Sequence, residues 1–191
     1  KLKKNMLSKL NKLLGKSFLN KYKLRVQKNS NTSLNHCLKV AKEMINKSKY
    51  CFLITNGENN WPSARMVQPI VEPGTFIIWF GTNPTLRKIK EINKNPYVTI
   101  AFGQESENAN LIIYGKASIE NNIRERVKHW IGSWILFFPG GPRGEDFISI
   151  RVEPLEMEIM NFKKYIVTEP FGLKPIKLKI DNGLWKITNM A

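Results

Sequence analysis

The sequence has few of the residue types on which several classes of protein site depend. It contains two cysteines and two histidines in 191 residues, which provide neither a disulfide framework nor a histidine-based metal site. The hydrolase, zinc-protease and nucleotide-loop signatures are also missing. No stretch approaches 18 uninterrupted apolar residues, so the sequence indicates no membrane-spanning helix. The small number of cysteines is typical of a reducing compartment, and we expect a cytoplasmic protein.

Acidic residues are missing from the N-terminal region. Residues 1–28 contain ten Lys and Arg and no Asp or Glu, whereas the other 163 residues contain 21 basic and 15 acidic side chains. The formal net charge of +16 therefore comes mostly from this region. We expect residues 1–31 to form a basic arm with a linker, and residues 32–191 to form one domain.

Apolar residues in the basic arm recur every three or four positions, which predicts an amphipathic helix. They are Leu2, Met6, Leu10, Leu13, Leu14 and Phe18. Three interpretations stay open: a helix packed on the domain, an arm that binds a membrane surface or another polyanion, and an organellar targeting segment. The last interpretation would place the protein in an organelle instead of the cytoplasm.

The rest of the chain predicts a mainly β domain. A helix over residues 34–48 is followed by six apolar segments that have the features of strands and are separated mostly by turns. They span residues 50–55, 63–71, 75–82, 97–102, 111–119 and 147–159. Because there is no βαβ alternation, six such strands favour an antiparallel barrel or sandwich.

Three further structural expectations come from local patterns. The spacing predicts helices over residues 84–93 and 121–138. In the last strand, the apolar set Ile148, Ile150 and Val152 is followed by the set Leu155, Met157 and Ile159 in a different phase. A bulge or bend at Pro154 would turn both sets inward. We also expect Arg65 to lie in the hairpin partner of the strand that leads to Thr82.

The segment TNPTLRK, residues 82–88, places two cations near a predicted helix start. A helix N-terminus offers free N–H donors and a partial positive charge, which suit a phosphate group. Arg binds two phosphate oxygens at once, and Lys adds a compact charge. Arg87 and Lys88 are therefore candidate phosphate ligands, although taken alone such a pair is more often a solvated helix face. Lys90 and Lys94 are interpreted as solvated charge.

Other polar residues have simpler interpretations. Glu105 and Glu107 lie in a polar loop, where solubility is the expected role. His36 and His129 are far apart in the sequence, and each is expected to be a surface or packing residue rather than a catalytic one. No metal site and no catalytic side chain are assigned.

Three segments together resemble the pyridoxamine 5'-phosphate oxidase-related flavin proteins, including the branch of general stress protein 26. The segments are ARMVQPIV (64–71), WFGTNPTLRKIKEINKNPYVTIAF (79–102) and NLIIYGKASI (110–119). The resemblance extends over residues 38–120, with weaker similarity beyond. It implies a mainly β (α+β) fold, a six-stranded antiparallel split β-barrel with flanking helices, and FMN bound at the interface of a homodimer.

The resemblance also implies which residues meet the cofactor. The strand RMVQPI would lie along the flavin ring, and the phosphate would be met by cationic and hydroxyl side chains. The implied contacts are Arg65, Met66, Val67, Gln68, Gly81, Thr82, Arg87, Lys88, Asn110 and Trp134. For Trp134, an alternative is core packing with Trp130 at i and i+4 of the predicted helix.

The expected function is that of an FMN-dependent oxidoreductase with an unassigned small-molecule substrate and an electron donor such as NAD(P)H. Two alternatives stay open: a flavin-binding stress-response module without turnover, and a binder of polyanions or membrane surfaces that acts through the basic arm. No nucleic-acid partner is expected, because the domain lacks a basic and aromatic stripe. The C-terminal GLWKITNMA resembles the end of true pyridoxamine phosphate oxidases, but their Arg-Leu-His segment is absent.

Overall fold

The structure, a computed structural model, describes residues 2–57, 61–168 and 174–188, with the side chains of residues 2–14 left out. The helices are α1 (Leu2–Asn29), α2 (Leu34–Lys47), α3 (Arg87–Lys94) and α4 (Ile123–Lys128). The strands are β1 (Cys51–Asn56), β2 (Pro62–Val67), β3 (Ile70–Val71), β4 (Ile78–Thr82), β5 (Tyr97–Gln104), β6 (Ala109–Glu120), β7 (Ile148–Asn161), β8 (Ile176–Asp181) and β9 (Leu184–Thr188).

The strands form one antiparallel sheet in the order β2-β1-β5-β6-β7-β4-β3, with β8 pairing with β7 and β9 pairing with β8. Alternate residues of the long strands point inward, and α2 and α3 pack their apolar faces against them. The predicted antiparallel β architecture with flanking helices is therefore confirmed. The described residues contain nine strands instead of the six expected from the sequence.

The additional strands have two local causes. Residues 63–71 were expected as one strand, but Pro69 has no backbone N–H, and the chain divides there into β2 and β3. As a result β2 pairs with β1 and β3 pairs with β4, so the expected pairing of the Arg65 strand with the Thr82 strand is wrong. The hairpin of β8 and β9 turns at Asn182 and Gly183, which both have positive φ angles.

The bulge expected in the last strand is confirmed. Tyr114 of β6 pairs with Glu156, whereas Gly115 pairs with Pro154, so Leu155 is an extra residue in β7. Ile148, Ile150 and Val152 before the bulge, and Met157 and Ile159 after it, face the core as expected. The expectation is wrong for Leu155, which is the extra residue and points outward. Gly115 has no Cβ, and one placed there would lie 2.6 Å from the carbonyl oxygen of Glu153.

Two predicted helices are shorter in the structure. The helix expected over residues 84–93 begins at Arg87, because Asn83 forms its own turn by accepting a hydrogen bond from the backbone N–H of Thr85 at 2.9 Å. The helix expected over residues 121–138 ends at Lys128, and a 3₁₀ helix follows at Gly132–Leu136. Trp130 and Trp134 are therefore not neighbours on one α-helix.

The basic arm is helical, as predicted, and α1 is the longest helix of the described chain. Most residues of its predicted apolar face lie among residues 2–14, whose side chains are outside the described residues. In the parts of the chain that the structure describes, no helix combines the length and hydrophobicity needed to cross a lipid bilayer.

Candidate functional site

A buried carboxylate organises the candidate phosphate site. Glu91 lies on the inner side of α3 with 5% of its surface exposed, and its Oε2 accepts a hydrogen bond from Arg65 Nη2 at 2.8 Å. The Thr55 hydroxyl donates to the same oxygen and accepts from Arg65 Nη1. Arg65 and Thr55 both point inward from the paired strands β2 and β1. Glu91 therefore fixes the Arg65 guanidinium between the sheet and the helix.

The other two predicted cations lie in the first turn of α3. Arg87 forms an i, i+4 ion pair with Glu91, with 2.9 Å between its Nε and Glu91 Oε1. Lys88 Nζ donates a hydrogen bond to Thr82 Oγ1 at 3.0 Å, at the end of β4. Lys90 and Lys94 are exposed. The structure thus brings together Arg65, Thr82, Arg87 and Lys88, which we call the cation cluster.

The charges in this cluster influence each other. Burial opposes the ionisation of Glu91, but hydrogen bonds from Thr55 and Arg65, and the charges of Arg65 and Arg87, hold the pKa of the carboxyl below its ordinary value. Burial and the nearby charge of Arg65 lower the pKa of Lys88, and Glu91 opposes this in part. Three cations and one carboxylate leave a formal charge of +2. An anion placed beside Lys88 would stabilise its charged form.

A second group of predicted residues meets around an indole ring. The ring of Trp134 crosses β4 at Gly81, where a Cβ would overlap the Trp134 and Phe147 rings. Its Nε1 donates a hydrogen bond to Gln68 Oε1 at 3.1 Å. Because an indole N–H can only donate, the Gln68 amide is fixed with its oxygen toward the ring and its NH₂ group free to face elsewhere.

Trp134 is also part of an aromatic cluster. Its ring centroid lies 5.9 Å from that of Trp130, and both rings contact Phe147. Trp134 is buried. The core-packing interpretation of Trp134 is therefore supported by contacts, although the packing is not the i, i+4 arrangement that was expected. The same ring also touches Gln68 and Gly81.

Met66 and Asn110 lie apart from the cation cluster. Met66 points to the outer face of the sheet with 63% of its surface exposed, whereas Arg65 and Val67 point inward. Asn110 pairs with Gly103 and Met160 near one end of β7, and Thr82 pairs with Ile148 at the other end. Asn110 shares the outer face with Ile112. Within one chain these two residues and the cation cluster do not converge.

A comparison with protein families agrees with these observations. The family described as "Pyridoxamine 5'-phosphate oxidase like" matches residues 36–181 of this chain. The chain belongs to this family. The matched region begins in α2 and ends with β8, so it contains the cation cluster and leaves α1 outside. No curated protein sequence matches the chain significantly.

Solved structures share the fold of this pyridoxamine 5'-phosphate oxidase-like chain. A Clostridium acetobutylicum protein related to general stress protein 26 has 21% identity and a TM-score of 0.65, covering 77% of this chain and 96% of its own. General stress protein 26 of Bacillus anthracis has 22% identity and a TM-score of 0.58, covering 65% and 93%. A pyridoxamine 5'-phosphate oxidase-related, FMN binding protein of Nostoc punctiforme has 14% identity and a TM-score of 0.59, covering 80% and 95%. The split-barrel fold is therefore confirmed.

Two buried polar residues of this oxidase-like chain were not anticipated. Glu91 had no assigned role, although its i, i+4 spacing from Arg87 was a usable signal. Glu107 was expected to serve solubility, but it is buried and accepts hydrogen bonds from Asn161 Nδ2 at 2.8 Å and Lys47 Nζ at 3.0 Å. These bonds lower the pKa of Glu107 and connect the loop after β5 to β7 and α2. Glu107 is thus a structural anchor.

His129 and the two cysteines are buried inside the domain. His129 is buried and stacks on Trp79 with 3.9 Å between ring centroids. Burial lowers the pKa of His129, and its Nδ1 lies 3.0 Å from the Glu125 carbonyl oxygen. Cys37 and Cys51 are free and buried, and burial raises the pKa of their thiols to about 11 and about 12. Both thiols therefore stay protonated and unreactive near neutral pH.

Proposed function

We propose that this chain binds FMN and that the cation cluster holds its phosphate group. The observation that carries the proposal is the convergence of Arg65, Arg87 and Lys88, from two separate elements, beside the Thr82 hydroxyl. A phosphate monoester carries a charge of about −1.5 to −2 near pH 7. This charge matches the formal +2 of the cation cluster taken together with Glu91. Membership in an oxidase-like family with an FMN binding relative supports the same ligand.

The residues beside the cluster suit the rest of the cofactor. Because Trp134 occupies the amide oxygen of Gln68, the NH₂ group points away from the indole N–H and offers a hydrogen-bond donor to a flavin carbonyl or ring nitrogen. The backbone of Met66 and Val67 runs between Gln68 and Arg65, and provides further polar groups along the ring. When bound, FMN supplies hydride and electron transfer, and the protein supplies its position and electrostatic environment. We therefore propose an FMN-dependent oxidoreductase.

We also propose that the chain forms a homodimer through the outer face of the sheet. This face exposes large apolar side chains that the described chain leaves uncovered, and isolated monomers rarely expose such a contiguous patch. They are Phe52, Met66, Tyr97, Tyr114 and Leu155. A groove of about 470 Å³ lies among Tyr97, Tyr114 and Leu155. A second copy on this face would bring its own residues to Met66 and Asn110, which one chain leaves apart from the cation cluster.

The phosphate assignment is tested by titrating the apoprotein with FMN and, separately, with riboflavin, which lacks the phosphate. In the variant Arg87→Ala/Lys88→Ala, two charge-assisted hydrogen bonds are lost, each worth about 1.5–3 kcal/mol. We expect FMN affinity to fall by a factor of one hundred or more, and riboflavin affinity to change little. Lys90→Ala/Lys94→Ala is the matched control, since it removes two exposed cations from the same helix.

Each result of this titration has a definite meaning. If wild-type protein binds neither flavin, the family fold is present without the proposed cofactor. If FMN binds and the double variant binds it equally well, the cofactor is right and the cation cluster is not its phosphate site. A loss of riboflavin affinity equal to the loss of FMN affinity would indicate damage to the whole site.

The dimer is tested by sedimentation of the full chain and of Phe52→Glu, which places a charge beside Met66 on the outer face. We expect the wild type to sediment as a dimer and the variant as a monomer. Leu136→Glu is the control, because Leu136 is an exposed apolar residue elsewhere, with 79% of its surface exposed. A monomeric wild type would contradict the proposal directly.

Turnover is tested by mixing the FMN-loaded protein with NAD(P)H without oxygen, and then with electron acceptors. An oxidoreductase loses its flavin absorbance with the donor and regains it with an acceptor over many cycles. A stress-response module that only binds flavin would show the flavin spectrum without these cycles.

A further inference from the structure

Helix α1 is attached to the domain only near its C-terminal end, as far as the described side chains show. Val26 is buried, and Arg25 Nε donates a hydrogen bond to the Tyr165 hydroxyl at 3.2 Å. Directly after the helix, the backbone N–H of Asn31 donates to the Tyr165 carbonyl oxygen at 3.1 Å. In contrast, every side chain from Gly15 to Lys21 is exposed. The part of α1 from Gly15 to Lys21 therefore does not pack on the domain.

The charge of this helix is of one sign. Residues 1–28 contain ten Lys and Arg and no acidic residue, so no carboxylate within the helix offsets them. Lys21 and Arg25 are four residues apart, a spacing at which like charges repel on a helix. An isolated helix in water is marginal even for favourable sequences, and an undocked one gains stability from a partner. A polyanionic surface would remove the repulsion and supply that partner.

Exposed apolar side chains occur among these cations. Phe18 has 73% of its surface exposed and Leu24 has 65%. Leu24 lies two residues before the buried Val26, which is about 200° around the helix, so it faces away from the docking side. The sequence adds Leu2, Met6, Leu10 and Leu13 at helical spacing upstream. A partner of α1 must therefore accept apolar groups as well as cations.

We propose that α1 lies on an anionic lipid surface and holds the domain there. A lipid interface buries Phe and Leu side chains at the level of the acyl chains while its headgroups bind Lys and Arg. A nucleic-acid backbone offers sites for the cations but leaves Phe18 and Leu24 in water. The last turn of α1 stays on the domain through Val26 and Arg25, so the membrane-bound helix and the cation cluster belong to one unit. This proposal does not depend on the cofactor.

The test uses the full chain and vesicle flotation. We expect binding to vesicles that contain phosphatidylglycerol, no binding to pure phosphatidylcholine vesicles, and release at high salt. Lys16→Gln/Lys21→Gln should weaken binding about thirtyfold, since each basic residue near the surface contributes about a factor of five. Phe18→Ser/Leu24→Ser should weaken it by about tenfold or more, because apolar burial is lost.

Two controls separate the alternatives. Leu136→Ser/Phe137→Ser removes exposed apolar residues outside α1 and should bind vesicles like the wild type. Circular dichroism of all variants should be unchanged, because the substituted side chains are exposed. Equal binding to neutral vesicles, or no binding to anionic ones, would overturn the proposal. So would full retention of binding in Phe18→Ser/Leu24→Ser together with equal affinity for double-stranded DNA, which identifies a general polyanion binder.

Discussion

Two groups of basic residues in this molecule have opposite surroundings. In the cation cluster, Arg65, Arg87 and Lys88 are arranged around the buried carboxylate of Glu91 and the hydroxyl of Thr82. In α1, nine basic residues have no acidic residue in the same helix, and Lys16 and Lys21 are exposed. The basic arm carries the larger positive charge, whereas ion pairs and hydrogen bonds hold the side chains of the cation cluster in place.

The two regions suit different partners, because the cations of the cluster are held by specific contacts and those of α1 are exposed along a helix. The Arg65 guanidinium is fixed by Thr55 and Glu91, and the Lys88 amine is fixed by Thr82. Two cations held in this way suit a small anion of defined shape. Flexible cations on an exposed helix suit an extended surface whose charges are mobile or repeated. The two regions can therefore be distinguished by substitutions that are chemically similar but structurally different.

The largest effect is expected from Glu91→Ala. Arg65 has 18% of its side chain exposed, and the variant removes the Glu91 carboxylate with which it pairs. Breaking a buried ion pair costs about 3–5 kcal/mol. We expect the free energy of unfolding to fall by that amount in urea denaturation. Glu43→Ala, which removes a half-exposed partner of Lys164, should cost about 1 kcal/mol or less. Equal losses in the two variants would show that Glu91 does not organise the cluster.

A smaller effect, with opposite signs in the two regions, is expected from glycine-to-alanine substitutions. In Gly81→Ala the new methyl overlaps Trp134, and overpacking costs about 1–3 kcal/mol. In Gly15→Ala nothing lies within 4 Å of the new methyl, and alanine favours the helix by about 1 kcal/mol. Thermal unfolding measures the first change, and hydrogen exchange of the α1 amides measures the second. Destabilisation of both variants would contradict the exposed position of α1.

The next effect is a decrease in the free energy of unfolding at low pH, which arises from His129 and Glu91 of the domain. The folded pKa of His129 is lowered, so its contribution is complete above about pH 6.5 and is lost as the pH falls through the folded value. The lowered pKa of Glu91 adds a loss below about pH 4.3. We expect His129→Asn to flatten the slope of unfolding free energy between pH 5 and 7, measured by denaturant titration at each pH.

The smallest effect is expected from Lys16→Ala. Its side chain is exposed in α1, and such surface substitutions change the free energy of unfolding by about 0.5 kcal/mol or less. Chemical denaturation measures this value, with Lys88→Ala as the comparison. A loss above 1 kcal/mol for Lys16→Ala would mean that this part of α1 packs on something in solution.

Much of the fold was predictable because it follows from local periodicity. The apolar alternation in β5, β6 and β7, and the change of phase at Pro154, indicated which residues face the core. The hairpin of β8 and β9 was missed, although Asn182-Gly183 between alternating residues is a strong signal for a two-residue turn. The helix start at Arg87 was displaced because Asn83 forms a turn with Thr85 first.

The site was predictable to a lesser extent because it depends on contacts between distant segments. The local pattern indicated Arg87 and Lys88, and the family resemblance added Arg65 and Thr82; the structure places the four side chains near one another. The role of Glu91 depends on β1 and β2 facing α3, and no short-range pattern reports that arrangement. The contact of Trp134 with Gln68 crosses 66 residues and required knowledge of the 3₁₀ helix.

The bulge at Leu155 adds one residue to β7 that the pairing with β6 does not use. Because Leu155 has no partner in β6, a deletion of this residue would leave Glu156 opposite Tyr114 and Pro154 opposite Gly115. Inward and outward positions on both sides would keep their faces, whereas a deletion elsewhere in a regular strand moves side chains to the wrong face. Leu155 is therefore the place in β7 where the chain can change length while its core stays intact.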